Sequence, residues 1–294
     1  MSIVEIRGLV KDYGKVHAVR GIDLDVEPGE VVGFLGPNGA GKSTTIRCLL
    51  DLIRPTAGTL RLFGADTRKH GVAARQKVAY VPAELRLPPR ATAGELLDVL
   101  ARLRGDCDAA RRADVTARLG LDPTKPAKGL STGNRRKVAL VGAFMSRAEL
   151  LVLDEPTSGL DPLLQQVFRD LVGEAKGRGT AVLLSSHSLA EVQRTADRAV
   201  VLRSGQVVAR GTVDELRGTA AQRVEAVFGA AAPDLSAVPG LTDLRRDGRR
   251  VHARFTGPPE PLLTALAAVR PLSVEIAEPD LEDAFRTLYE EQPS

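Results

Sequence analysis

Residues 36–44 read GPNGAGKST, after the apolar run Val31 to Leu35 and before the helix-like stretch Thr44 to Ile53. This is the G-x-x-x-x-G-K-[ST] pattern in the context that gives it chemical meaning. A strand delivers the loop to a sheet edge and a helix begins where the loop ends. Several backbone N–H groups and the positive end of the helix dipole then converge on one phosphate. Gly36, Gly39 and Gly41 let the backbone fold around the anion without a Cβ in the way. Lys42 brings a cation to the β- and γ-phosphates, and the Ser43 hydroxyl suits Mg²⁺. The whole loop, Gly36, Pro37, Asn38, Gly39, Ala40, Gly41, Lys42, Ser43 and Thr44, is therefore expected to cradle a nucleoside triphosphate.

Such a loop constrains the rest of the chain to an α/β sheet. Four further runs are continuously apolar, as strands of a parallel sheet covered on both faces must be. They are Val78 to Val81, Leu150 to Leu153, Ala181 to Leu184 and Ala199 to Leu202. The first 30 residues instead alternate (Val4, Ile6, Leu9; Ile22, Leu24, Val26) and end at a Pro28–Gly29 turn, predicting antiparallel strands ahead of the core. Between Pro88 and Arg147 the periodicity is helical, with Leu96, Leu97 and Leu100 on one stripe and Val138, Leu140 and Val141 on another. This predicts a helical insertion over about 84–148.

After Gly218 the texture shifts to Ala, Pro and Gly. Leu241 to Phe255 reads as a hairpin about Asp247–Gly248, Pro261 to Val269 as a helix, Leu272 to Ile276 as a strand and Leu281 to Tyr289 as a helix. The expected organisation is a nucleotide-binding domain over 1–216 and a small α+β domain over 217–294.

In an open α/β sheet, ligands sit beyond the carboxyl ends of the strands. Three apolar strands here end in reactive residues: one enters the phosphate loop, LLVL ends in Asp154 and Glu155, and AVLLSS ends in His187. Asp154 fits the carboxylate that holds Mg²⁺, largely through water. Glu155 is the natural general base for an attacking water, and His187 a hydrogen-bond donor to the γ-phosphate. Tyr13, in KDYGKV, offers a flat π-face to adenine, with Ala18 assigned to the same nucleotide contact. Ser131, in LSTGNRRK, reads as the N-cap of a second helix and so as a second anion site. One chain needs no second such site unless it serves a neighbouring molecule.

Composition excludes other classes. With 43% hydrophobic and 27% charged residues the chain reads as globular, and no run approaches the roughly 20 apolar residues that span a bilayer. The start, MSIVEIRGLVKDYG, lacks the form of a signal peptide. Cys48 and Cys107 have no metal-ligand spacing and read as structural thiols in a reducing compartment. The net charge of +4 is scattered among acids, and only 3% of residues are aromatic, so nucleic-acid binding by base stacking is not expected.

The motifs GPNGAGKST, LSTGN before a basic helix, LLVLDEP, SGLDP at Ser158 to Pro162, and SSH ending at His187 occur in the order typical of ABC ATPases, which residues 1–216 resemble. The resemblance implies a P-loop NTPase core and a head-to-tail dimer, homomeric or heteromeric, that sandwiches two ATP molecules. Ser131, Thr132, Gly133 and Asn134 would then meet the ATP held by the other subunit, and Asp161 would link the two sites. ATP binding would close the dimer and hydrolysis release it. Two departures stand out. Thr132 and Asn134 replace a glycine and a glutamine of the usual LSGGQ, and Ala83 in YVPAE stands where the family has a glutamine that touches Mg²⁺ and water. Glu84 is the nearest group that could replace it.

The tail, EPDLEDAFRTLYEE, resembles the end of ATPases from the drug- and polymer-exporting branch, whose membrane subunit is a separate polypeptide. The expectation is an exporter ATPase, peripheral on the cytoplasmic face of the membrane and working through a separate membrane-spanning permease. Rival readings are a soluble ABC protein acting on ribosome or DNA, a non-hydrolysing switch, or an importer ATPase. The first rival is disfavoured because a single ATPase unit is present and only about 90 residues separate loop and LSTGN, too few for a long coiled-coil arm. Glu155 and His187 argue against the second.

Overall fold

A computed structural model describes residues 2–69, 71–218 and 221–277. The chain divides into two compact units, Met1–Gly211 and Thr212–Ser294, so the division falls five residues before the expected boundary.

The first unit opens with a long antiparallel pair, β1 (Val4–Tyr13) and β2 (Val16–Val26), followed by β3 (Val31–Leu35) and α1 (Lys42–Leu49). β4 (Ala57–Leu62) and β5 (Ala65–Asp66) extend the first pair into a sheet ordered β2-β1-β4-β5. After α2 (Gly71–Gln76) and β6 (Val78–Val81) come the inserted helices α3 (Ala93–Arg104), α4 (Ala109–Arg118) and α5 (Thr132–Phe144). The chain then runs through β7 (Leu150–Asp154), α6 (Pro162–Gly177), β8 (Ala181–Ser186), α7 (Leu189–Thr195), β9 (Arg198–Arg203) and β10 (Gln206–Thr212). β10-β9-β3-β8-β7-β6 form one sheet, in which β9, β3, β8, β7 and β6 pair in parallel.

Both faces of this sheet are covered, which explains the unbroken apolar runs. Val32 and Phe34 of β3, Val152 of β7 and Leu183 of β8 pack with β1, β2, β4 and α1. Their alternate neighbours Val31, Leu151, Leu153, Val182 and Leu184 pack with α3 to α6, where Phe144 and Phe168 meet edge to face at 6.2 Å.

The helix after the phosphate loop starts two residues earlier than expected and stops at Leu49 instead of Ile53. Asp51 takes a left-handed φ of 56° and Pro55 follows, so the α conformation cannot continue. Of the expected stripe on α3, Leu97 is fully buried while Leu100 is partly open to solvent. Thr92 and Glu95 form a reciprocal capping box at its start.

The second unit contains α8 (Val213–Gly218) and an antiparallel sheet β12-β13-β11-β14. Its strands are β11 (Gln222–Val227), β12 (Leu241–Asp247), β13 (Arg250–Phe255) and β14 (Ser273–Ala277). α9 (Glu260–Val269) buries Leu262 and Leu266 in a core with Val224, Val251 and Phe255. The hairpin turns at Asp247–Gly248, where Asp247 pairs with Arg250 and Gly248 has φ 56°. The helix expected over Leu281 to Tyr289 and the exporter-like tail lie outside the described residues.

Candidate nucleotide and hydrolysis site

Strand register assembles the site. β3 lies between β9 and β8, and β8 between β3 and β7, with Leu35 opposite Ser186 and Asp154 opposite Ser185. The three reactive strand ends therefore finish level, side by side. The phosphate loop, the Asp154–Glu155 pair and His187 share one edge, as the order of apolar runs predicts.

Gly41 has φ 104°, and a Cβ there would come within 2.7 Å of the Ala18 carbonyl oxygen. Glycine is thus required by β2 behind the loop as well as by the backbone turn. Ala18, assigned to the nucleotide, contributes its main chain to this wall. Lys42 is buried, its Nζ donating to the Gly36 carbonyl at 2.6 Å and the Pro37 carbonyl at 3.2 Å. The same ammonium lies 3.3 Å from Glu155 Oε1.

Asp154 is wholly buried at the end of β7. Its Oδ1 accepts from Ser43 Oγ at 3.1 Å and Ser185 Oγ at 2.5 Å, while Oδ2 is buried with no hydrogen-bond partner. A buried carboxylate oxygen left unmatched beside a hydroxyl fits a hard divalent cation, whose ligands are oxygens. Among the described residues no group of three or more His, Cys, Asp or Glu could hold a metal. Mg²⁺ takes one or two protein oxygens and keeps water and phosphate for the rest. Burial, reinforced by the charge of Asp154, pushes the Tyr80 phenol up to about 12, so it stays neutral beside that carboxylate.

Glu155 adopts a left-handed backbone, φ 51°, uncommon for a residue with a side chain. Its N–H is held by the Ser185 carbonyl at 3.1 Å and lies 3.2 Å from Ser185 Oγ. Glu155 Oε2 lies 2.7 Å from His187 Nδ1. The expected base and the expected histidine thus touch each other directly. Tyr13 ends β1 half-exposed, with the Lys11 ammonium 4.7 Å from its ring centroid.

At the second expected anion site, Ser131 caps α5, its Oγ accepting from Asn134 N at 3.2 Å. A Cβ on Gly133 would lie 2.7 Å from the Gly159 carbonyl oxygen, so LSTGN packs on SGLDP within one chain. Asp161 caps α6 through Leu164 N at 2.9 Å. Ala83 meets α5 through its backbone: Arg136 Nη1 donates to Pro82 O and Nη2 to Ala83 O, both at 2.6 Å. Glu84 is exposed.

Sequence reading missed Ser185, Arg136, Thr157 and Glu191. Two serines closing an otherwise apolar buried strand were the available signal for Ser185. Arg136 lies between Arg135 and Lys137, and nothing in the sequence sets it apart from them.

This geometry has known counterparts. The sequence pattern of the ABC transporter family matches residues 19–158. The chain is 34% identical over 300 residues to a daunorubicin resistance ATP-binding protein of Streptomyces coeruleorubidus, covering 97% of this chain and 95% of that one. It is 38% identical over 226 residues to a daunorubicin/doxorubicin resistance ATP-binding protein of Streptomyces peucetius, covering 75% and 68%. A Nod factor export ATP-binding protein of Ralstonia nicotianae is 36% identical over 219 residues, covering 73% and 68%. A solved ATP-binding subunit of an ABC transporter superposes with a TM-score of 0.69 at 32% identity, over 74% of this chain and 92% of that one. The chain belongs to the ATP-binding subunits of ABC transporters. It is a nucleotide-binding ATPase of that class, whose members dimerise and act with separate membrane subunits.

Proposed function

We propose that this chain powers export of a drug or other toxic compound through a separate membrane-spanning permease, closing head to tail as a dimer around two ATP molecules. The observation that carries this is the identity to a drug-resistance ATP-binding protein over 97% of the chain, which reaches through the second unit. Among the described residues no helix is long and apolar enough to cross a membrane; in this reading the conduit is a separate chain and this one sits on its cytoplasmic face.

In this reading Gly36 to Thr44 cradle the phosphates, and Lys42 exchanges the Gly36 and Pro37 carbonyls for phosphate oxygens. Ser43 and Asp154 would hold Mg²⁺, which when bound neutralises charge on the phosphates. Glu155 orients the attacking water and takes its proton, and His187 holds Glu155 through the 2.7 Å contact and reaches toward the γ-phosphate. Tyr13 stacks on the base. Ser131 to Asn134 complete the site of the partner copy, with Asp161 at the interface between the two sites.

The test is isolation of the tagged chain from detergent-solubilised membranes of its own host, with ATPase assayed in the product. A polytopic membrane protein should co-purify and raise the ATPase rate. Co-purification of ribosomes or DNA without a membrane protein would overturn the reading.

A further inference from the structure

Glu191 belongs to neither the phosphate loop nor the expected hydrolysis pair, yet it is built into both of the turns that carry that pair. It lies in the first turn of α7, after His187. Its Oε2 accepts from Ser186 Oγ at 2.5 Å, and the Thr157 side chain lies near enough to act on the same carboxylate. Ser186 Oγ in turn accepts from Ser188 N at 2.9 Å, bracing the His187 turn from within. Ser186 O accepts from Gly36 N at 3.3 Å, so the same residue touches the start of the phosphate loop. Thr157 follows Glu155 in a tight turn closed by Ser158 N to Glu155 O at 3.3 Å and Leu160 N to Thr157 O at 2.9 Å. The left-handed backbone of Glu155 makes that turn one that its surroundings must hold in place.

We propose that Glu191 is a positioning residue for hydrolysis: its carboxyl latches the turn carrying His187 to the turn following Glu155, and so fixes the contact between those two side chains. The proposal rests on the hydrolytic roles given above to Glu155 and His187. Burial pushes the Glu191 carboxyl up, against the lowering effect of the Ser186 and Thr157 side chains, with the charge of Glu155 adding to the rise. Its Oε1 is buried without a partner. Glutamine keeps the shape of the carboxyl and one acceptor oxygen for the Ser186 hydroxyl, so it suits the place.

Steady-state ATPase kinetics of the full-length protein test this, with a fluorescent nucleotide reporting binding and a thermal melt reporting folding. Glu191→Ala should lower kcat by about tenfold or more with KM for ATP within about twofold, as expected when alignment alone is lost. Glu191→Gln should stay within about threefold of wild type. Thr157→Val approaches the latch from the other turn and should reproduce the alanine loss, which keeps the test open if Glu191→Ala fails to fold. In a Glu155→Gln background, Glu191→Ala should cause no further loss. Wild-type kcat in both Glu191→Ala and Thr157→Val, or a glutamine variant as impaired as alanine, would overturn the latch. If Glu155→Gln itself hydrolyses at the wild-type rate, the underlying base assignment fails instead.

Discussion

The guanidinium of Arg136 reaches the carbonyl oxygen of Ala83 at 2.6 Å and that of Pro82 at the same distance. This buried fork ties α5, which begins within LSTGN, to the end of β6, where the family's glutamine is replaced. Because the contact is to backbone, it does not depend on the side chain at position 83. Burial lowers the Arg136 pKa, and the negative charges of Asp154 and Glu155 oppose that shift. The departure at Ala83 therefore leaves intact a mechanical link between the strand end and the helix expected to meet the partner's nucleotide.

Arg136→Met should destabilise the protein by about 2–4 kcal/mol, since two buried carbonyls lose charge-assisted partners. Arg136→Lys should fall between, as an ammonium lacks the planar fork. Ala83→Gln should change stability by under about 0.5 kcal/mol. Urea unfolding of the three variants decides it; a methionine variant as stable as wild type would show that the fork carries no load.

Gly133→Ala should cost about 1–3 kcal/mol of stability in nucleotide-free monomer, because its Cβ meets the Gly159 carbonyl at 2.7 Å. Ser131→Ala should cost about 1 kcal/mol through loss of the helix cap. Unchanged denaturant midpoints for Gly133→Ala would mean that the glycine serves only the partner's nucleotide.

Ser185→Ala removes the hydroxyl that donates to Asp154 Oδ1 and lies against Glu155 N. The expected outcome is a loss of about 1–3 kcal/mol in stability, because the buried Asp154 Oδ1 keeps only Ser43 as a hydrogen-bond partner, and a kcat lower by about tenfold. Parallel calorimetry and ATPase assays would separate the two effects, and a variant normal in both would remove Ser185 from the site.

Lys42→Ala and Glu155→Gln should part ways. The first loses the phosphate cation and with it most ATP affinity, whereas the second binds ATP and hydrolyses it about a hundredfold or more slowly. Filtration-binding with labelled ATP beside a phosphate-release assay distinguishes them. The mass of Glu155→Gln in solution should double on adding ATP; a persistent monomer would place closure under control of the membrane subunit.

Much of this was readable along the chain. The phosphate loop, the four further apolar strands and the Asp247–Gly248 hairpin each announce themselves within a few residues, through periodicity, glycine placement or turn chemistry. Strands β4 and β11 escaped that reading. AGTLRL and QRVEAV are short and interrupted by charge, and they become strands because β1, β13 and β14 offer them ladders. The end of α1 is likewise not legible locally, since its apolar pattern continues past Asp51 while the helical backbone does not.

The order and identity of the reactive residues, and so the family and its chemistry, were set by the sequence alone. Only the tertiary structure decided which of them touch. Ser43 meets Asp154 across 111 positions, His187 meets Glu155 across 32, and Arg136 meets Ala83 across 53. Such contacts follow from sheet order and register, with Leu35 opposite Ser186 and Asp154 opposite Ser185. Local patterns report which face a residue buries. Which distant residue lies against it depends on how all the strands pair and pack at once.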